Sequence, residues 1–346
     1  MIKVGIIGAT GYAGSELVRL IYSHPNTAVE MIAGRSYIGQ PYGDVFENFN
    51  HRTDCIVNED LGLLASRCDV VFMALPHGLS GAKIDGSLLS QTKVIDLGAD
   101  FRLKDADVYE KWYNTVNENK GLLSEAVYGL TEIHRDAISQ ARLVANPGCY
   151  TTCSILALYP LLKEGVLEHQ SIVVDAKSGV SGAGRAVDLG VHFCEANETV
   201  KAYKIASHRH TPEIEEQLSL AAGKDLKVLF TPHLIPMNRG ILATCYARPK
   251  TKVTTSELQD IYRQYYGDEY FIRLCRSGVF PETKWVKGSN FCDIAVSVDE
   301  RTDTVIVVSA LDNLGKGAAS QAVQNMNVVF GLDEKAGLDD VPIFPV

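Results

Sequence analysis

Through the first half of the chain, short apolar runs end in glycine or proline and give way to apolar residues at helical spacing. Lys3 to Ile7 reads as a strand, and the segment Gly8-Ala9-Thr10-Gly11-Tyr12-Ala13-Gly14 leads into a helix with Leu17, Val18, Leu20 and Ile21 on its apolar side. A second strand spans Ala28 to Ala33. Cys68 to Leu75 and Lys93 to Gly98 are near-continuous apolar runs, the pattern of parallel strands buried on both faces. Residues 103–140 break this rhythm, being charged and aromatic without strong periodicity; Val127 to Leu130 is expected to pack that excursion back on its domain.

The second half reads differently. Ser171–Ala176, Lys227–Leu234, Gly240–Ala247, Cys292–Val298 and Thr304–Ala310 are strand-like, with helices expected near 213–222 and 255–267. This predicts a largely antiparallel sheet with helices on one face, whose uncovered face would support oligomerisation. The fold class is therefore α/β for a parallel-sheet, Rossmann-like domain at 1–148, completed by a C-terminal helix at 313–330, and α+β for a catalytic and oligomerisation domain at 149–312. No internal repeat or low-complexity tract stands out.

Strand, glycine loop and helix form the context of a dinucleotide fingerprint, because glycines let the backbone approach a pyrophosphate and the helix N-terminus receives its charge. The spacing here is GxxGxxG. The second strand ends in Gly34-Arg35-Ser36, where an acidic ribose ligand would mark NAD; a cation and a hydroxyl suit a 2′-phosphate, so NADP is preferred. Pro76-His77-Gly78 ends a strand on the ligand edge of the sheet and is a candidate cofactor lining, or a plain turn. Arg102 also follows a strand end and is a candidate clamp for an anionic group, or a partner of Asp100 or Asp105.

Composition narrows the class. With 346 residues, 46% hydrophobic and 22% charged, the chain can bury two cores. Its net charge of -9 argues against a general nucleic-acid binder. Its first residues carry no basic leader and no apolar run is long enough to span a bilayer, so the expectation is a cytoplasmic protein with no membrane partner. The eight cysteines, at 55, 68, 149, 153, 194, 245, 275 and 292, form no CxxC pair, which favours reduced thiols over a disulfide framework or zinc ribbon.

The strongest chemical signal is Val144-Ala145-Asn146-Pro147-Gly148-Cys149-Tyr150, after which Ile155, Leu156, Leu158, Leu161 and Leu162 trace a helix. Cys149 then stands in a first helical turn, where unpaired N–H groups and the helix dipole favour a thiolate and an oxyanion; the alternative is a buried structural cysteine. Ser207-His208-Arg209-His210-Thr211-Pro212-Glu213 places two histidines and an arginine at another helix start, with Glu213 able to orient His210 as a general base. No carboxylate or thiol completes a metal site with the two histidines. Lys177 to Arg185, rich in glycine and serine, is a candidate phosphate or nicotinamide cradle or a flexible connector. Asn313-Leu314-Gly315-Lys316-Gly317-Ala318 opens a final helix through Val323, Met326 and Val329 and suggests a second contact to the dinucleotide.

These motifs, in this order and over essentially the whole chain, resemble the N-acetyl-gamma-glutamyl-phosphate reductases, the arginine-biosynthesis branch of the semialdehyde dehydrogenase family. Pro147-Gly148-Cys149-Tyr150 separates them from aspartate-semialdehyde dehydrogenases, which carry Asn directly before the cysteine. Thr151, Cys153 and Gly315 depart from what relatives are expected to carry. The resemblance implies that Cys149 attacks an acyl phosphate, phosphate leaves, and NADPH reduces the thioester to a semialdehyde. It assigns His210 and Glu213 to acid–base work and Arg102, His208, Asn146 and Ser178 to the substrate. The cofactor falls to Gly8, Thr10, Gly11, Tyr12, Ala13, Gly14, Arg35, Ser36, Pro76, Gly182 and Asn313. A homo-oligomer, dimer or tetramer, is expected. The alternatives are an aspartyl-phosphate reductase of the same chemistry and a non-catalytic NADP-binding sensor.

Overall fold

The computed structural model describes residues 1–345, and the chain forms two compact units. The first consists of Met1–Pro147 and Ala318–Asp339, the second of Gly148–Gly317 and the residues from Asp340 onward.

In the first unit, seven strands form one sheet: β1 (Ile2–Ile7), β2 (Thr27–Ala33), β3 (Val57–Asn58), β4 (Val70–Met73), β5 (Lys93–Asp96), β6 (Val127–Tyr128) and β7 (Leu143–Ala145). Their order is β3-β2-β1-β4-β5-β7-β6, and every pairing is parallel. Val4, Ile6, Val70–Met73, Val94 and Ile95 are fully buried, as a sheet covered on both sides requires. The chain runs outward from β1 to β2 on one side and resumes at β4 on the other. That places the switch point, where open α/β sheets bind ligands, between the ends of β1 and β4.

The excursion at 103–140 contains two helices that its sequence pattern does not announce. Ala106–Tyr113 is capped by Asp105, whose carboxylate accepts the N–H groups of Asp107 and Val108. Thr131–Gln140 packs against the final helix, Ser320–Val329. That final helix buries Gln321, Gln324, Asn325 and Asn327 along with Val323 and Met326. Asn325 is fully engaged: it donates to Gly129 O (2.8 Å) and Asn146 Oδ1 (3.0 Å), and accepts from Thr131 Oγ1 (2.9 Å).

The second unit carries β8 (Val173–Ser178), β9 (Lys201–Ala202), β10 (Leu229–Leu234), β11 (Ile241–Ala247), β12 (Ile272–Leu274), β13 (Cys292–Asp299) and β14 (Thr304–Leu311). Their order is β12-β13-β14-β11-β8-β10-β9, mixed but mostly antiparallel, with only β12–β13 and β8–β10 parallel. One face packs on the helices Cys149–Lys163 and Thr255–Tyr266 through Val174, Ala243, Cys245, Val305 and Val307. The long helix contains Pro160, which cannot donate to Leu156 O; Tyr266 Oη supplies that bond instead at 2.9 Å. Helix Thr255–Tyr266 opens with a capping box between Thr254 and Glu257.

Among the described residues, no helix packs on the opposite face of this sheet. Side by side across four strands stand Leu229, Val173, Tyr246 and Ile306, then Thr231, Asp175, Thr244 and Val308, then His233, Lys177, Leu242 and Ala310. Apolar at one end, the face ends in a polar cluster: Lys177 forms an ion pair with Asp175 at 2.5 Å, and His233 Nδ1 lies 3.2 Å from the same carboxylate. Among the described residues no helix is long and apolar enough to cross a membrane.

Candidate active site

At the switch point, Gly8 has φ +78°, and a Cβ there would lie 2.2 Å from Ala74 O. Gly14 is equally closed, with Gly8 O 2.2 Å from its Cβ position, because the helix starts directly on the β1 loop. Gly11 differs: its nearest neighbour is Gly8 O at 3.5 Å, and a side chain there would enter open space. Two glycines therefore build the turn and the third leaves its backbone approachable, as a dinucleotide cradle needs. Thr10 lies against Gly34, so the β1 and β2 loops adjoin, and Arg35 and Ser36 stand exposed beyond them. A neighbouring cation and hydroxyl at the end of β2 fit a dinucleotide bearing a 2′-phosphate. Tyr12 is 44% exposed on the first turn of the helix, followed by half-buried Ala13.

The β4 loop has a support that the sequence does not advertise. Buried Asp100 accepts Gly78 N–H (2.8 Å), Gly81 N–H (2.8 Å) and Tyr109 Oη–H (2.6 Å), while Tyr109 stacks on Tyr113 and Tyr113 meets the His77 ring. Pro76 is left exposed at the tip. Arg102 is buried and donates from Nη2 to Leu97 O at 2.8 Å. Asp96, fully buried at the end of β5, accepts from Ser80 Oγ (2.6 Å) and Gly98 N–H (2.9 Å); burial outweighs these bonds and raises its pKa to about 7. Asn146 is buried, with its amide committed to Ala318 O (3.1 Å) and to Asn325, and so holds backbone in place.

In the second unit, Cys149 is the first residue of its helix, after the cap residue Gly148. The first ladder bond is Thr152 N–H to Gly148 O, which leaves the N–H groups of Cys149, Tyr150 and Thr151 ahead of the ladder. Cys149 is half-buried. Cys153 and Cys245, wholly buried, are pushed up to about 12 and stay protonated. Glu213, 1% exposed, reaches this helix start: its Oε1 accepts Gly148 N–H at 3.0 Å and lies 2.9 Å from Thr151 Oγ1.

His208 and His210 come together with Tyr150, the two imidazole centroids 4.8 Å apart and the Tyr150 ring 5.5 and 6.0 Å from them. His208 Nδ1 accepts His210 N–H at 3.1 Å, so the neutral ring carries its proton on Nε2. From there a chain runs to Tyr203 Oη (3.4 Å), on to Tyr150 Oη (3.2 Å) and ends at His233 O (3.2 Å). Burial, reinforced by the charges of Lys204 and Arg209, pushes the His208 pKa down to about 3, so the ring is neutral at physiological pH. Ser178, Gly182 and Asn313 gather nearby in sequence-distant fashion: a Gly182 Cβ would meet Ser178 Oγ at 3.4 Å and Asn313 Nδ2 at 3.7 Å. Asn313 also accepts Gly240 N–H at 2.7 Å and donates to Ser181 Oγ at 2.9 Å. The sequence offers Asp100 only as a partner of Arg102 and gives Tyr203, Asp312 and Gly317 no role of their own; the glycine pair at 315 and 317 signals a close backbone approach.

A parallel switch-point sheet with a glycine cradle, in a chain whose second unit opens with a cysteine at a helix start, defines the class. The chain matches the description "Semialdehyde dehydrogenase, NAD binding domain" over residues 3–141 and "Semialdehyde dehydrogenase, dimerisation domain" over 149–313, and it belongs to the semialdehyde dehydrogenase family. Relatives named N-acetyl-gamma-glutamyl-phosphate reductase include that of Lachnospira eligens, 53% identical over 348 residues and 100% of both chains. That of Campylobacter jejuni serotype O:6 is 52% identical over 97% of this chain and 98% of its own. In fold the chain is similar to aspartate semialdehyde dehydrogenase II from Vibrio cholerae, with a TM-score of 0.73 at 17% identity over 96% and 98% of the two chains.

Proposed function

We propose that the chain reduces N-acetyl-glutamyl 5-phosphate to N-acetyl-glutamate 5-semialdehyde with release of phosphate, as an NADPH-dependent enzyme of arginine biosynthesis. The observation that carries this reading is the full-length identity of 51–53% to reductases of that name. The Cys149 helix start supplies the chemistry.

Cys149 sulfur attacks the acyl carbon, the bond to the phosphate oxygen breaks, and a thioester forms while phosphate leaves. His210 takes the thiol proton and returns it when the thiohemiacetal collapses to aldehyde and free thiol. The N–H groups of Cys149 to Thr151 face the developing oxyanion, and Glu213 keeps that helix start in place. Hydride is what bound NADPH supplies. Gly8 to Gly14 receive its pyrophosphate, with Arg35 and Ser36 on the 2′-phosphate and Pro76 along the β4 edge; Gly182 and Asn313 are assigned to the same cofactor. Arg102 is the guanidinium assigned to a substrate anion, alongside Ser178. His208, held neutral, takes the part of a hydrogen-bond donor that positions Tyr203 and Tyr150 instead of a charge.

The uncovered face of the second sheet, within a segment matching a dimerisation domain, supports a homo-oligomer built on that face. All eight cysteines are free thiols, which supports a cytoplasmic setting. Phosphate-dependent NADP reduction, assayed with N-acetyl-glutamate semialdehyde and with aspartate semialdehyde, tests the function. Turnover with the acetylated substrate is expected, and it should vanish in Cys149→Ser; preference for the aspartyl compound, or near-normal turnover in that variant, would overturn the assignment.

A further inference from the structure

Two backbones meet at Cys149, and each is held by a buried carboxylate. On one side Glu213 accepts Gly148 N–H. On the other lies the turn Asp312–Gly317. A Cβ on Gly317 would fall 2.8 Å from Cys149 Cβ and 3.1 Å from its Cα, well inside the roughly 3.5–4.0 Å at which carbons rest. Gly317 N–H donates to Asp312 O at 2.9 Å. The Asp312 side chain is fully buried, and its Oδ1 accepts Leu314 N–H (2.9 Å) and Gly315 N–H (3.0 Å). Its Oδ2 accepts Gly288 N–H at 2.6 Å, and Arg239 Nε spans both oxygens at 2.9 and 3.0 Å. A Cβ on Gly315 would meet Ser289 O at 2.5 Å, so the turn is wedged from behind as well.

We propose that Asp312, clamped by Arg239, is a positioning residue that holds Gly317 as a fixed stop against Cys149 and thereby sets the reactivity of its thiol. The stabilisation offered by a helix N-terminus fades within one turn, so the placement of the first side chain matters. With the turn pinned by Asp312 and the helix start pinned by Glu213, a methyl group at 317 has no soft side to push: either the sulfur moves or a hydrogen-bonded backbone does. The catalytic consequence rests on the reading of Cys149 as nucleophile; the geometric claim does not.

The test is the pH dependence of iodoacetamide alkylation, read by mass spectrometry on the peptide containing Cys149, with exposed Cys194 as internal reference. Gly317→Ala and Arg239→Lys are compared with Arg273→Lys, which weakens a similar ion pair, Arg273–Asp293, in the same unit. Both test variants should move the Cys149 midpoint by at least about half a pH unit and lower kcat by about tenfold or more, with Cys194 unchanged. Arg239→Lys keeps a cation on a partly exposed side chain and serves if Gly317→Ala does not fold. A Cys149 profile in the folded variants that superposes on the parent's overturns the proposal, and so does an equal shift in Arg273→Lys. If Cys149→Ser retains turnover, the nucleophile reading fails while the alkylation profile still decides this one.

Discussion

Glu213 and Gly148 are joined across two helix starts: the carboxylate at the head of one helix accepts, at 3.0 Å, the backbone N–H that caps the other. Glu213→Ala leaves that buried N–H without its acceptor, at a cost of about 1–3 kcal/mol in a urea unfolding curve. Glu213→Gln keeps an oxygen within reach and should recover most of that stability. If the two variants unfold alike, the bond does not hold the helix start.

The three glycines of the β1 loop should separate into two kinds. Gly8→Ala combines φ +78° with a 2.2 Å approach to Ala74 O, so it should lower the melting temperature as well as abolish NADPH binding. Gly11→Ala meets nothing closer than 3.5 Å and should melt like the parent, while its NADPH dissociation constant rises by about tenfold or more. Titration by protein fluorescence beside a thermal melt distinguishes them; unchanged affinity in Gly11→Ala would place the pyrophosphate elsewhere.

Arg35 stands exposed at the end of β2. Arg35→Ala removes a charge-assisted contact of about 1.5–3 kcal/mol to a 2′-phosphate, raising KM for NADPH by about tenfold or more and leaving KM for NADH nearly unchanged. Equal effects on both cofactors would deny Arg35 its part in discrimination.

Two buried groups give stability opposite dependences on pH. His208 has a folded pKa of about 3 against 6.5 unfolded; its stabilisation is complete above 6.5 and is lost as pH falls toward 3. Asp96 has a folded pKa of about 7 against 3.8, so its contribution is complete below 3.8 and is lost as pH rises through 7. Each slope is about 1.4 kcal/mol per pH unit, and between pH 4 and 6.5 they offset each other. Denaturant midpoints in that window should therefore climb with pH in Asp96→Asn and fall with pH in His208→Gln. Parallel slopes in the two variants would contradict the burial argument.

What the sequence discloses is governed by distance along the chain. The parallel strands, the glycine loop and the helix headed by Cys149 are legible because each is a local pattern, Asn146-Pro147-Gly148 stopping one element just before the next begins. The helix Ala106–Tyr113 escapes because its buried faces are tyrosines among charges, although Asp105 is a readable cap. The final helix shows its Val323 and Met326 but conceals that Gln321, Gln324 and Asn325 are buried too, since amides look solvated until their partners at Thr131 and Gly129 are known. Gly317 beside Cys149, and Asp312 behind Gly317, are invisible for the same reason: each matters through a contact that only folding creates.

Strand β10 turns the His233 ring toward the uncovered face, and its backbone carbonyl at the same residue receives the Tyr150 hydroxyl. Tyr150 follows Cys149 directly in the first turn of the same helix. The uncovered face and the Cys149 helix start are thus mechanically in series: one peptide carbonyl and one phenol ring link the outer surface of that strand to the sulfur's own helix turn.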